Sequence, residues 1–176
     1  MVAFYIMELI NLPQQILVFA SIGSILFNVY LVYMLFGKKK FSKDISLLFV
    51  FGIALISMLG SLYFSEIQKL EPCSLCWFQR IFIYPLVLIY PIAYIRKKYT
   101  KIYNYTLPMT IIGALISLYQ YLTQMIPSLF SGGGTCTGLS CSVFYLYEFG
   151  FVTIPFMALM AFISINLIQI IELKKD

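Results

Sequence analysis

Long apolar stretches alternate with short polar clusters along the whole chain. Five stretches, residues 14–36, 45–64, 77–95, 106–125 and 152–171, carry almost no charge. Each approaches the roughly 20 residues that a helix needs to cross a bilayer, and strict period-2 alternation is absent, so the pattern predicts five membrane-spanning helices and an all-α integral membrane protein. Within the stretches, small residues recur one turn apart, as in Ala20 with Ser24, Ser57 with Ser61 and Gly113 with Ser117. Such pairs let helix backbones approach closely and read as packing positions. Pro85, Pro91 and Pro155 fall inside stretches three and five, where they are expected to interrupt the hydrogen-bond ladder and kink the helix. Asn28 and Asn166 are scattered polar positions on the same stretches. Tyr63, Trp77, Tyr99, Tyr103, Tyr119 and Tyr147 lie near stretch ends, where amphipathic rings favour the headgroup layer.

Composition supports the same class. The chain is 61% hydrophobic and only 11% charged over 176 residues, with a mean hydropathy of +0.92, well beyond the apolar share of about 45–50% in soluble domains. Five crossings use nearly the whole length, and no linker, repeat or low-complexity tract divides it, so residues 1–176 form one transmembrane domain. The net charge of +5 is not a nucleic-acid footprint, because the basic residues sit in clusters beside apolar runs rather than over one surface. Lys38, Lys39, Lys40 and Lys43 follow the first stretch, Arg96, Lys97, Lys98 and Lys101 follow the third, and Lys174 and Lys175 follow the fifth. Together these are ten of the twelve Lys and Arg, leaving Lys69 and Arg80. The positive-inside rule then places those ends in the cytoplasm, the amino terminus outside and the carboxyl terminus inside. Residues 1–13 hold no Lys or Arg, so the first stretch lacks the basic head of a signal peptide and reads as a retained span.

That orientation puts both outer loops, residues 65–76 and 126–151, on the extracytoplasmic side, and each carries one cysteine pair: Cys73 with Cys76, and Cys136 with Cys141. Thiols there can form and exchange disulfides, which cytosolic reductants oppose. In Pro72-Cys73-Ser74-Leu75-Cys76 a two-residue gap lets both cysteines sit on the first turn of a helix, whose partially positive amino terminus stabilises a thiolate. Redox exchange, a structural disulfide and half of a zinc site all fit this spacing, although an oxidising location favours disulfides over metal. Arg80 lies one turn deeper on the same face as Cys76. A charge entering hydrocarbon needs a polar partner, either headgroups reached by snorkelling or a ligand carbonyl beside Cys76. Around the second pair, Gly132, Gly133, Gly134 and Gly138 give a permissive backbone in a long loop, which suits a disulfide that moves between partners or simple slack.

Pro-Cys-Ser-Leu-Cys-Trp-Phe-Gln-Arg opening a span, then a cytoplasmic turn, a cysteine loop and Gly150-Phe151-Val152-Thr153-Ile154-Pro155-Phe156 opening the last span, resembles the DsbB family, in particular its BdbC-type members. The likeness covers about residues 45–171, leaving residues 14–44 as an additional amino-terminal span and cytoplasmic turn. Vitamin K epoxide reductase relatives share the logic but place the loop cysteines before the membrane-proximal pair. The resemblance implies a four-helix transmembrane bundle with one extra helix, which reoxidises an extracytoplasmic DsbA-like thioredoxin-fold protein and passes the electrons to menaquinone or ubiquinone in the membrane. It implies disulfides Cys73–Cys76 and Cys136–Cys141. Cys76 and Arg80 then face the quinone, Cys73 exchanges with the loop, Cys136 forms the mixed disulfide with the partner, and Cys141 communicates with Cys73. Only four residues separate Cys136 from Cys141, and the chain has no histidine, so protons come from water, headgroups or other side chains. A DsbA-type disulfide, at about −120 mV, needs a still more oxidising sink, which a quinone supplies. No dinucleotide-binding glycine motif and no histidine for haem or copper offers another route. The contrasting expectation is a membrane scaffold in which the same disulfides only staple the outer loops. A transporter fits less well, since internal repeats and paired intramembrane charges are missing.

Overall fold

A computed structural model of the chain describes residues 2–36, 42–97, 99–126 and 149–174. Five α-helices account for nearly all of them: α1 (Val2–Phe36), α2 (Lys43–Leu62), α3 (Ser74–Arg96), α4 (Tyr99–Met125) and α5 (Ile154–Leu173). A π-helical turn, Tyr63–Ile67, extends α2. The segments 43–67, 74–96 and 154–173 are long and apolar enough to cross a membrane, and residues 22–36 form a shorter apolar helix. With 20 to 27 residues, α2 to α5 are each about 30–40 Å long.

Helices α2, α3, α4 and α5 pack in sequence, and α5 returns to α2, which closes a four-helix ring; α1 docks on α5. The core runs through Leu31, Leu47, Val50, Leu86, Tyr90, Phe162 and Ile165. Apolar side chains also cover the outside, with Leu26, Leu48, Leu88, Ile95 and Leu115 well exposed. In water such a surface would be costly; against acyl chains it is matched to its solvent. Hydropathy therefore marks these helices but does not tell their inner from their outer faces.

Polar cross-links mark the inner faces instead. Asn28 Oδ1 accepts from Ser164 Oγ at 2.8 Å, joining α1 to α5. Asn166 Nδ2 donates to Thr110 O at 3.3 Å, and the Thr110 hydroxyl donates to Asn166 Oδ1 at 2.5 Å, joining α5 to α4. Gln169 Nε2 donates to Tyr90 Oη at 2.6 Å, and Tyr90 donates in turn to Thr106 Oγ1 at 3.3 Å, joining three helices. Ser46 Oγ donates to Glu172 Oε1 at 2.6 Å, drawing the start of α2 to the end of α5. Asn28 and Asn166, which the sequence presents as scattered, are interhelical fasteners.

Several expectations are corrected. Helix α1 begins at Val2 and α4 at Tyr99, well before the apolar stretches at residues 14 and 106, because helices continue past the hydrocarbon-like part of a sequence wherever backbone bonding allows. Tyr103, read as an interface ring, is almost fully buried and packs against Tyr90 with ring centroids 6.4 Å apart. Pro155 does not interrupt a helix: Thr153 is the N-cap of α5 and Pro155 lies in its first turn, where a missing N–H costs nothing. Pro85 and Pro91 do lie inside α3, which nonetheless runs unbroken from Ser74 to Arg96. Gly113 is a packing position as read, for a Cβ there would collide with the ring of Phe162.

Candidate redox site

The Cys-x-x-Cys segment folds as the start of a helix. Pro72 favours extended backbone before it, Cys73 is the N-cap of α3 in extended conformation, and its sulfur accepts from the backbone N–H of Cys76 at 3.4 Å. The second cysteine thus occupies the third position of the helix, and the two Sγ atoms are 3.2 Å apart. A closure of about 1 Å would bring them to disulfide bonding distance. Cys73 is buried and Cys76 half-buried.

A neighbour that sequence reasoning missed holds both sulfurs. Gln120, near the end of α4, donates from Nε2 to Cys73 Sγ at 3.2 Å and to Cys76 Sγ at 3.3 Å. Its amide is oriented from the far side, since Gln79 Nε2 on α3 donates to Gln120 Oε1 at 2.7 Å. Both glutamines are buried, so their mutual bond satisfies groups that would otherwise be costly in an apolar interior. The only trace in the sequence is that Gln79 falls one turn after Cys76 while Gln120 is an amide in an apolar stretch. Nothing local says that they meet.

Arg80 finds its partner within the chain. Nε donates to Ser61 Oγ at 2.8 Å, a terminal guanidinium nitrogen donates to the Ser61 carbonyl at 3.1 Å, and the guanidinium carbon lies 5.4 Å from the centre of the Trp77 ring. Ser61, read as a packing residue, is therefore the acceptor that lets a cation sit half-buried beside the cysteine turn, with a cation–π contact adding to it. Two donors on a fixed fork leave the remaining guanidinium N–H groups available for another acceptor.

These groups open on one cavity of about 300 Å³. Cys73, Cys76, Gln79 and Arg80 line it from α3, Gln120 and Gln124 from α4, and the rest of the wall is largely apolar, with Ile53, Phe64, Met157 and Phe162 among the contributors. An apolar chamber with a few convergent polar groups is the ordinary form of a site for a flat organic molecule, and it fits a quinone ring. Among the described residues no cluster of metal-binding side chains occurs. Cys136 and Cys141 lie outside the described residues, as does Tyr147. The basic clusters that are described, Lys43, Arg96 with Lys97, Lys101 and Lys174, stand at the ends of the helices away from the cysteine turn.

Comparison with known proteins adds a family. Residues 43–171 match the family model "Disulfide bond formation protein DsbB", which leaves α1 outside the matched part. The chain is 49% identical over 138 residues, 78% of its own length and 98% of the relative's, to the Probable disulfide formation protein C 1 of Bacillus cereus. It is 58% identical over 114 residues, 64% of its length and 81% of the relative's, to the Disulfide bond formation protein C of Bacillus subtilis. A Probable disulfide formation protein of Coxiella burnetii is 43% identical over 121 residues, 68% of this chain and 81% of that one. No solved structure matches.

Proposed function

Because the chain belongs to the DsbB family, on its disulfide formation protein C branch, we propose that it is a five-span thiol:quinone oxidoreductase of the cell membrane. In this reading it reoxidises an extracytoplasmic DsbA-like partner and delivers the electrons to a membrane quinone. The basic helix ends face the cytoplasm, and both cysteine pairs face outward. Residues 43–171 form the catalytic bundle, and Cys73, Cys76, Cys136, Cys141 and Arg80 carry the chemistry. The observation that carries the proposal is the shared wall: the two thiols, Arg80 and an apolar chamber meet in one place.

Each step conserves electrons. A partner thiolate attacks the Cys136–Cys141 disulfide, and a second partner thiol closes the partner's disulfide, leaving two loop thiols and releasing no net electrons. A loop thiolate then attacks the Cys73 sulfur of a Cys73–Cys76 disulfide, breaking that bond and expelling Cys76 as a thiolate, and the loop disulfide closes on itself as Cys73 leaves. Because Cys73 is buried against Leu75, Ile116 and Tyr119, this exchange needs the cysteine turn to move away from α4 so that a loop sulfur can reach it. The Gln120 amide N–H groups face the sulfurs on which negative charge develops and lower its cost. Arg80, anchored on Ser61, presents positive charge beside Cys76. A bound quinone would accept two electrons and two protons, as the Cys73 and Cys76 thiols return to the disulfide.

The test mixes purified protein, a reduced DsbA-like protein and a soluble quinone analogue, and follows quinol absorbance together with partner thiols. Stoichiometric conversion of both is expected, and Cys76→Ser is expected to lower it more than a thousandfold, as for loss of a nucleophile, while the melting temperature stays near wild type. Loss of folding in Cys76→Ser, with no quinol formed by the parent protein, would favour the scaffold reading instead.

A further inference from the structure

Helix α1 lies outside the family core, yet it is built into the cavity. Helix α2 with its π-helical extension lines that cavity from Ile53 to Ser65, and α5 lines it from Ile154 to Ser164. Toward the basic end the same two helices join one tight core through Leu47, Val50, Ile165 and Ile168. Where they part, Ala20, Ser24 and Phe27 of α1 enter the lining. These three positions, spaced by four and three residues, share one helix face. The adjoining Asn28 fixes that face, accepting from Ser164 Oγ at 2.8 Å and donating from Nδ2 to Met160 O at 3.4 Å. Because Ser164 is itself part of the cavity wall, the fastening sits at the chamber's edge. One position before Ala20, Phe19 meets Phe149 ring to ring with centroids 6.2 Å apart, a second contact between α1 and the segment that leads into α5.

Resting on the thiol:quinone reading, we propose that α1 is a fifth wall of the acceptor cavity and that Ala20, Ser24 and Phe27 set which acceptor it takes. The polar corner of the chamber belongs to α3 and α4, with Cys76, Gln79, Arg80 and Gln120. Away from that corner Phe27 of α1 lines the cavity together with Ile53, Met157 and Ala161, apolar groups that suit the hydrocarbon tail of an acceptor rather than its carbonyls. The small side chains at Ala20 and Ser24 leave room for that tail, and bulk there takes the room away.

The experiment uses the full chain in detergent, with Trp77 as reporter: it is the sole tryptophan and lies beside Arg80. Two probes titrate its fluorescence, 2-methyl-1,4-naphthoquinone and the same ring carrying a long isoprenoid tail. Ser24→Phe is expected to raise Kd for the tailed probe about tenfold and to change Kd for the tailless one by less than about threefold. A Ser24→Phe protein that melts like the parent and binds the tailed probe equally well overturns the proposal. A second measurement does not depend on the variant folding: a tailed naphthoquinone with a diazirine in its chain, photolysed on the unsubstituted protein, is expected to label the peptide spanning residues 20–27. Labelling confined to other helices overturns the proposal. If neither probe quenches Trp77 in the unsubstituted protein, the thiol:quinone reading itself falls, whereas quenching that Ser24→Phe leaves unaltered removes only the role of α1.

Discussion

At the basic end of the bundle, α2, α3 and α5 close around Leu47, Val50, Leu86, Tyr90 and Ile165, all at 1% exposure or less; at the cysteine end the same helices part around a cavity of about 300 Å³. Both ends bury polar side chains, but they use them differently. At the basic end Tyr90, Thr106 and Gln169 bond across three helices, and Ser46 bonds to Glu172, so polar atoms serve as rivets between helices. At the cysteine end Gln79 spends its amide on Gln120, and Gln120 turns its own N–H groups onto two sulfurs. Without a strong hydrophobic drive between helices in lipid, packing and interhelical hydrogen bonds hold a bundle together. One well-riveted end therefore lets the other end open without the whole structure loosening.

That contrast can be broken at three points, in order of expected effect. Gly113 faces the Phe162 ring between the two ends, so Gly113→Leu forces the α4–α5 contact apart. It should destabilise by about 3 kcal/mol, read as a large drop in melting temperature in detergent; an unchanged melting temperature would mean that the two helices are not locked there. Gln120→Leu should act on redox chemistry more than on folding. Losing hydrogen bonds to the sulfurs weakens the reduced form by about 1.5–3 kcal/mol, which lowers the potential of the Cys73–Cys76 pair by roughly 30–60 mV. Equilibration with dithiol buffers measures this, and a potential equal to the parent's would remove Gln120 from the site. Gln169→Leu should do the reverse. It should cost about 1 kcal/mol of stability through the lost bond to Tyr90 and leave the potential where it was, so a shifted potential would show that the two ends are coupled.

The cysteine turn was readable because everything it needs is local. Pro72, Cys73 and Cys76 are neighbours in the chain, and the preference of a helix start for an N-cap acceptor shapes them directly. The partner of Arg80 was not readable: Ser61 is 19 residues away on another helix, and a serine in an apolar stretch looks like any other packing position. Gln120 is further still, 47 residues from Cys73. Tyr103 shows the same limit from the other side, since a tyrosine close to a basic cluster has the pattern of an interface ring whether it turns outward or, as here, into the core.

The amino-acid sequence by itself determined the helical membrane class, the distance of the described basic clusters from the Cys73–Cys76 turn and the folding of that turn as a helix start, because hydropathy, charge and capping act over one or two helical turns. Tertiary structure alone decided that Gln120 reaches both sulfurs, that Ser61 holds Arg80, that α2 and α5 part to leave a chamber, and that α1 stands in its wall. Those outcomes depend on how five similarly apolar helices rotate about their own axes. When inner and outer faces are equally greasy, a few distant polar contacts set that rotation, and no local pattern records them.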